Sequence, residues 1–136
     1  MTTALRAVER MFEAIETGRV SDAEDYIAAD YVNRESADDG RSDKDGPGEF
    51  RDTTAWLRSA FSNLHFDNVD VIACADRVVI LTYMTGVHTG SFLGLPATNR
   101  QFRQRQVHLF RLGADNKVRE HLAQRDDLGL RRQLSS

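Results

Sequence analysis

QFRQRQVHLFRLGADNKVREHLAQRDD, running from Gln101 to Asp127, is the stretch on which the fold turns. It reads as two long strands joined by a tight turn at Gly113 to Asn116, where Gly, Asp and Asn tolerate the backbone angles a hairpin needs. Along the first strand Phe102, Gln104, Gln106, His108 and Phe110 alternate with Arg103, Arg105, Val107, Leu109 and Arg111. Side chains on a strand repeat with period two, and arginines are the poorer candidates for an enclosed side. The even set therefore predicts a cavity wall of Phe, Gln and His. On the second strand Val118, Glu120, Leu122, Gln124 and Asp126 share a face if no bulge intervenes, which brings Asp126 to the cavity's rim. A carboxylate near an imidazole in an apolar pocket suits acid–base chemistry.

The chain has 136 residues, enough for one domain, 1–136, that buries roughly two-thirds of its unfolded surface. A formal net charge of −3 gives no electrostatic footprint for nucleic acid, and no apolar run reaches the roughly 18 residues that span a bilayer. The opening MTTALRAVER lacks the basic-then-apolar order of a secretory signal, so a cytoplasmic location is expected. Cys74, the one cysteine, reads as a small buried hydrophobe within VDVIACADRVV.

Upstream, Leu5, Val8, Phe12 and Ile15 fall at helical spacing over Thr3 to Thr17, with Gly18 as a stop. Ser21 caps a short second helix to about Ala29, followed by an extended piece, Tyr31 to Ser36, and an exposed loop, Ala37 to Gly48. Pro47 opens a third helix carrying Phe50, Thr54, Trp56, Leu57 and Phe61. Leu64 to Ala75 and Arg77 to Thr89 then alternate as a hairpin, with Val78, Ile80, Thr82, Met84, Gly86 and His88 on one face. Helices followed by consecutive hairpinned strands indicate an α+β fold: a strongly curved antiparallel sheet wrapped around three N-terminal helices, forming a cone with an internal cavity.

HTGSFLGLPATNRQF, QVHLFRLGADNKVREHL, RDDLGLRRQL and the earlier YVNRES together resemble the SnoaL-like polyketide cyclase family in order and spacing. The resemblance implies a cone of the nuclear-transport-factor type, often dimeric through the outer sheet face. It also implies intramolecular aldol closure of a polyketide methyl ester, with an aspartate as acid–base and no metal or organic cofactor. By that carry-over Asp126 is the acid–base residue, with Asp127 in its place if a bulge shifts the parity, and His108 its catalytic partner. Asn33 matches the Tyr-Val-Asn segment, His88 the start of the loop motif, and Gln106 the cavity strand. Arg34 and Leu122 depart from the family's usual His and Trp, and Thr82 stands where a larger aromatic is expected.

The expected substrate-binding set is thus Asn33, Trp56, Thr82, Met84, His88, Gln106, Phe110 and Leu122, around a hydrophobic, polyketide-like small molecule. His121 falls on the face opposite Leu122 and is assigned no role. The outer face, with Arg105, Val107 and Leu109, is expected to be covered in a homodimer. Other chemistries on the same fold remain open at this point: a hydratase, isomerase or epoxide hydrolase, or a binding protein without turnover.

Overall fold

The computed structural model describes residues 3–38 and 44–135. Part of the expected loop, Ala37 to Gly48, lies outside the described residues. Helix α1, Thr3–Thr17, buries Ala4, Ala7, Val8, Met11 and Phe12, the one-sided stripe of a helix lying on a sheet. Gly18, at φ +80°, ends it by donating its N–H to Ala14 O. The expected second helix is only a 3-10 turn, Ala23–Asp25, after which the chain enters strand β1, Ile27–Asn33. Apolar Tyr26, Ile27 and Ala28 are buried there, so burial in a sheet overrides the acidic start that suggested a helix. Helix α2, Arg34–Asp38, takes the place of the end of the expected extended piece.

Helix α3, Pro47–Ala60, is anchored at its start by Gly46, whose N–H donates to Tyr31 O at 2.7 Å. Gly46 has φ +74°, and a Cβ there would lie 2.6 Å from Ala29 O, so only glycine closes this joint. Four strands follow: β2, Phe61–Cys74; β3, Arg77–His88; β4, Gln101–Leu112; and β5, Val118–Arg125; helix α4, Asp127–Ser135, completes the chain. The sheet order is β1-β5-β4-β3-β2. Every pair is antiparallel except the edge, where β1 runs parallel to β5. The cone is closed on its inner side by α1 and α3.

The alternation on β3 and β4 sets the core. Val78, Ile80, Thr82, Met84 and His88 are buried on β3, and Phe102, Gln104, Gln106, His108, Phe110 and Leu112 on β4. Arg103 and Arg105 face outward. The β2–β3 hairpin runs past this core, leaving Asp67 to Cys74 exposed on both faces. Cys74 is consequently exposed, which corrects its reading as a buried hydrophobe. Burial needs a layer above the strand, and none of the helices reaches that end.

Phe12 is the main contact of α1 with the sheet, its ring 4.6 Å from Phe66, 5.2 Å from His108 and 5.9 Å from Phe110. Phe12→Ala is expected to cost about 3–5 kcal/mol, measured by urea unfolding with an unchanged slope. A loss below about 1 kcal/mol would mean that α1 does not hold the cone shut.

Candidate active site

Strand β5 is bulged where it leaves the hairpin turn. Leu112 pairs with Val118 and Arg111 with Glu120, so Arg119 is an extra residue and the alternation restarts beyond it. His121, Ala123 and Arg125 therefore point inward, while Glu120, Leu122 and Gln124 point outward. This corrects the placement of Leu122, which lies on the outer face opposite Leu109. The placement of Asp126 changes with it. Asp126 is exposed, accepts the Gly129 N–H on Oδ1 at 2.9 Å, and so caps α4. The next residue, Asp127, lines the cleft.

That cleft, of about 340 Å³, is lined by Glu35, Thr53, Trp56, Leu57, Met84 and Phe92 together with Gln104, Arg125 and the exposed Asp127. A second, apolar hollow of about 160 Å³ adjoins it and shares Phe92, Leu93 and Asp127. Asp127 stands at the junction of the two. Deeper in the cone is a chamber of about 30 Å³, lined by Phe12, Asn33, Phe66, His108, Phe110 and His121 among others. Glu35 and Arg125 border both cleft and chamber. Their carboxylate and guanidinium meet two-fold, with Nη2 to Oε1 at 2.9 Å, and form the partition between the two spaces.

A continuous chain of polar groups, buried from Gln104 to Glu49 and open to solvent at Asp127, runs behind this partition. Gln104 Nε2 donates to Asp127 Oδ1 at 3.0 Å, and Gln106 Nε2 donates to Gln104 Oε1 at 2.9 Å. Gln106 Oε1 lies 2.7 Å from His108 Nε2, and His108 Nδ1 lies 2.8 Å from His121 Nε2. His121 Nδ1 is 2.8 Å from Asn33 Oδ1, and Asn33 Nδ2 donates to Glu49 Oε2 at 3.1 Å. Ser36 and Thr53 donate to the same Glu49 oxygen at 2.6 and 2.8 Å. Burial pushes the His108 pKa well below the ordinary imidazole value, and the charges of Arg125 and His121 push the same way. Tyr31, fully enclosed beside this chain, has its pKa pushed well up by burial and by the Glu49 and Glu35 carboxylates.

The other expected residues fall in different places. Asn33 and Phe110 line the chamber, and Trp56 and Met84 the cleft. Gln106 lies wholly within the polar chain, its Nε2 also 3.6 Å from Met84 Sδ. Thr82 is enclosed among inward side chains opposite Gln106, and its hydroxyl has no hydrogen-bond partner among the described residues. His88 is buried at the far end of β3, where its Nδ1 accepts the Thr98 N–H at 3.3 Å and lies 3.0 Å from Thr98 Oγ1. Neither residue borders the cleft. His121, Arg125, Glu35 and Glu49 are the site residues that the sequence reading leaves out. The rule that turned the arginines of β4 outward also favours burying His121 and Ala123 over Glu120 and Gln124, and that signal was present on β5.

Among the described residues, no three His, Cys, Asp or Glu side chains converge as a metal site would, and no helix is long and apolar enough to cross a membrane. A family model described as SnoaL-like polyketide cyclase matches residues 5–134. The aklanonic acid methyl ester cyclase DnrD of Streptomyces peucetius is 35% identical over 135 residues, covering 98% of this chain and 92% of the relative. The nogalonic acid methyl ester cyclase of Streptomyces nogalater is 34% identical over 125 residues, 91% of each chain. Among solved structures, TsrD from Streptomyces laurentii superposes with a TM-score of 0.84 at 21% identity, covering 98% of this chain and 95% of that one, a likeness of fold. The matching cone, the family model over nearly the whole chain and relatives of this identity place the protein in the SnoaL-like polyketide cyclase family.

Proposed function

We propose that the protein closes a ring in a polyketide methyl ester by intramolecular aldol condensation, with Asp127 as the acid–base residue. The observation that carries this reading is the position of Asp127 at the junction of the two hollows, hydrogen-bonded to Gln104. Glu35, the other carboxylate bordering the cleft, is engaged on both oxygens by Arg125. Asp126 is occupied as a helix cap. The esters named for the relatives DnrD and the nogalonic cyclase supply the substrate class.

In the reaction Asp127 takes a proton from the carbon between two carbonyls, and the C–H electrons pass into an enolate. The enolate carbon attacks the ketone carbon, a C–C bond forms, and the ketone oxygen takes back the proton that Asp127 holds. The carbon that loses the proton is already activated by its two carbonyls, so the protein's share is orientation and one positioned base. Trp56, Leu57, Met84 and Phe92 offer flat apolar walls for a polycyclic chain, and a cleft near 340 Å³ is of the size that small-molecule sites have, about 300–1,000 Å³.

With aklanonic acid methyl ester as substrate, Asp127→Asn is expected to lower turnover about 10²- to 10⁴-fold, since asparagine keeps the shape but cannot take the proton. Asp126→Asn should keep most of the activity, while Asp126→Ala lowers stability by about 0.5–2 kcal/mol as a lost cap. Wild-type turnover in Asp127→Asn would sink this assignment. Absence of turnover by the unaltered protein on such esters, with tight binding retained, would instead favour a binding protein.

The same reading extends to a homodimer through the outer face. Ile72, Val79, Leu109 and Leu122 pair in register across four strands and make one outward apolar row, beside exposed Val107. A second copy of the same sheet is the occupant that matches such a row by symmetry. Light scattering should give twice the chain mass, and Ile72→Glu with Val107→Glu should return it to the monomer with unchanged circular dichroism. A wild-type monomer at all concentrations would overturn the interface.

A further inference from the structure

Hydrogen-bond donors and acceptors along the buried chain fix how many protons the two histidines carry. At one end the Glu35 backbone N–H, which can only donate, points to Asn33 Oδ1 at 3.2 Å. Asn33 Nδ2 is turned to the Glu49 carboxylate. The amide therefore cannot be reversed without setting two donors and two acceptors face to face. His121 Nδ1, which also meets Asn33 Oδ1, must bear a hydrogen.

The other end is fixed by Asp127. As a carboxylate it only accepts, so Gln104 presents its NH₂ to Asp127 and its oxygen to Gln106. Gln106 then presents its oxygen to His108 Nε2, which must likewise bear a hydrogen. Between the rings, the 2.8 Å contact of His108 Nδ1 with His121 Nε2 needs one hydrogen more. Three of the four ring nitrogens are protonated, whereas two neutral imidazoles have two.

We infer that His108 and His121 form a buried pair holding one extra proton while Asp127 is ionised, and that this cation is the positioning group that keeps Asp127 ready as a base. The second half of this inference rests on the reading of Asp127 given above. His121, the ring that reaches the Glu49 carboxylate through Asn33, is the seat of the charge.

The surroundings balance such a charge. On β1 Tyr31 is kept as a neutral hydroxyl, and α1 contributes only Met11, Phe12 and Ile15 to the chamber. Glu35 on α2 and Arg125 on β5 neutralise each other. Glu49 lies in the first turn of α3, where the helix dipole favours an anion, and reaches the pair through Asn33. Asp127 reaches it through the two glutamines. With neutral histidines, one guanidinium would face three carboxylates; the extra proton brings the region close to balance. If Asp127 is protonated on Oδ1 instead, every bond from Asp127 to His121 can reverse and the pair needs only two hydrogens. A proton taken on Asp127 Oδ2, away from Gln104, leaves the bond at Oδ1 and the charged pair as they are, so the pair can stay in place while Asp127 holds the substrate's proton.

Nitrogen-15 spectra of the labelled wild-type protein near neutral pH count the ring protons directly. The expected result is three protonated nitrogens, with both of His121 and Nε2 of His108 among them. Two, one on each ring, would overturn the inference whatever Asp127 does in turnover. Glu49→Gln removes the anion behind Asn33, and the pH at which the pair sheds its extra proton should fall by about one unit. The alkaline limb of kcat/KM should move with it, a displacement that loss of packing alone would not cause. A limb that stays in place while the spectra shift would remove the positioning role and leave the proton count standing. Should the variant not fold, the wild-type count still decides.

Discussion

Arg119 stands outside the β4–β5 ladder, and the half-turn it adds determines which side chains of β5 meet the interior. Without it Glu120, Leu122 and Gln124 would face Phe12 and Phe110, and a carboxylate would enter an aromatic core with no cation opposite it. With it, Glu120 stays outside between Arg34 and Arg111, whose hydrogen bonds hold its carboxyl below the ordinary range. His121 and Arg125 go inside, each to a polar partner already waiting on β1 or α2. Bulges are often found beside active sites because they re-aim one side chain at the expense of a single ladder contact. Here the bulge re-aims a whole half-strand.

The parity of β3 and β4 is legible in the sequence because arginine marks one side of the strand and aromatics the other. The α+β order and the family landmarks are legible as well. What escapes is set by partners far away in the chain. β1 is a strand because Ile27 finds Val118 beside it, and nothing in IAADYVN announces that neighbour. The inward position of His121 depends on a one-residue insertion that alternation alone does not reveal. Glu49 looks like an ordinary charge in the first turn of a helix, and becomes a buried anion only because Gly46 draws α3 against β1. Asp126 and Asp127 are adjacent, so the sequence offers both and only the helix start separates cap from cleft.

The Arg125–Glu35 pair separates the open cleft from the small inner chamber. On its outer side the cleft is bordered by Trp56, Leu57 and Met84; on its inner side the chamber has room for about one small molecule such as water. Ala123, buried directly opposite His108, leaves space there that a larger side chain would take. An ion pair can close such a boundary without the directional demands of a packed aromatic, and its two hydrogen bonds keep Arg125 from pointing at the histidines.

The parallel edge pair bears on the order in which the protein assembles. Asn33 and His121 are 88 positions apart, and β1 has no sheet to join until β5 has been made. The β2–β3–β4 meander can form from neighbouring segments, whereas the edge must wait for nearly the entire chain to leave the ribosome, and pairings of such long separation are slow. Until β5 lies beside β1, the Asn33–His121 bond that joins the two ends of the polar chain cannot form.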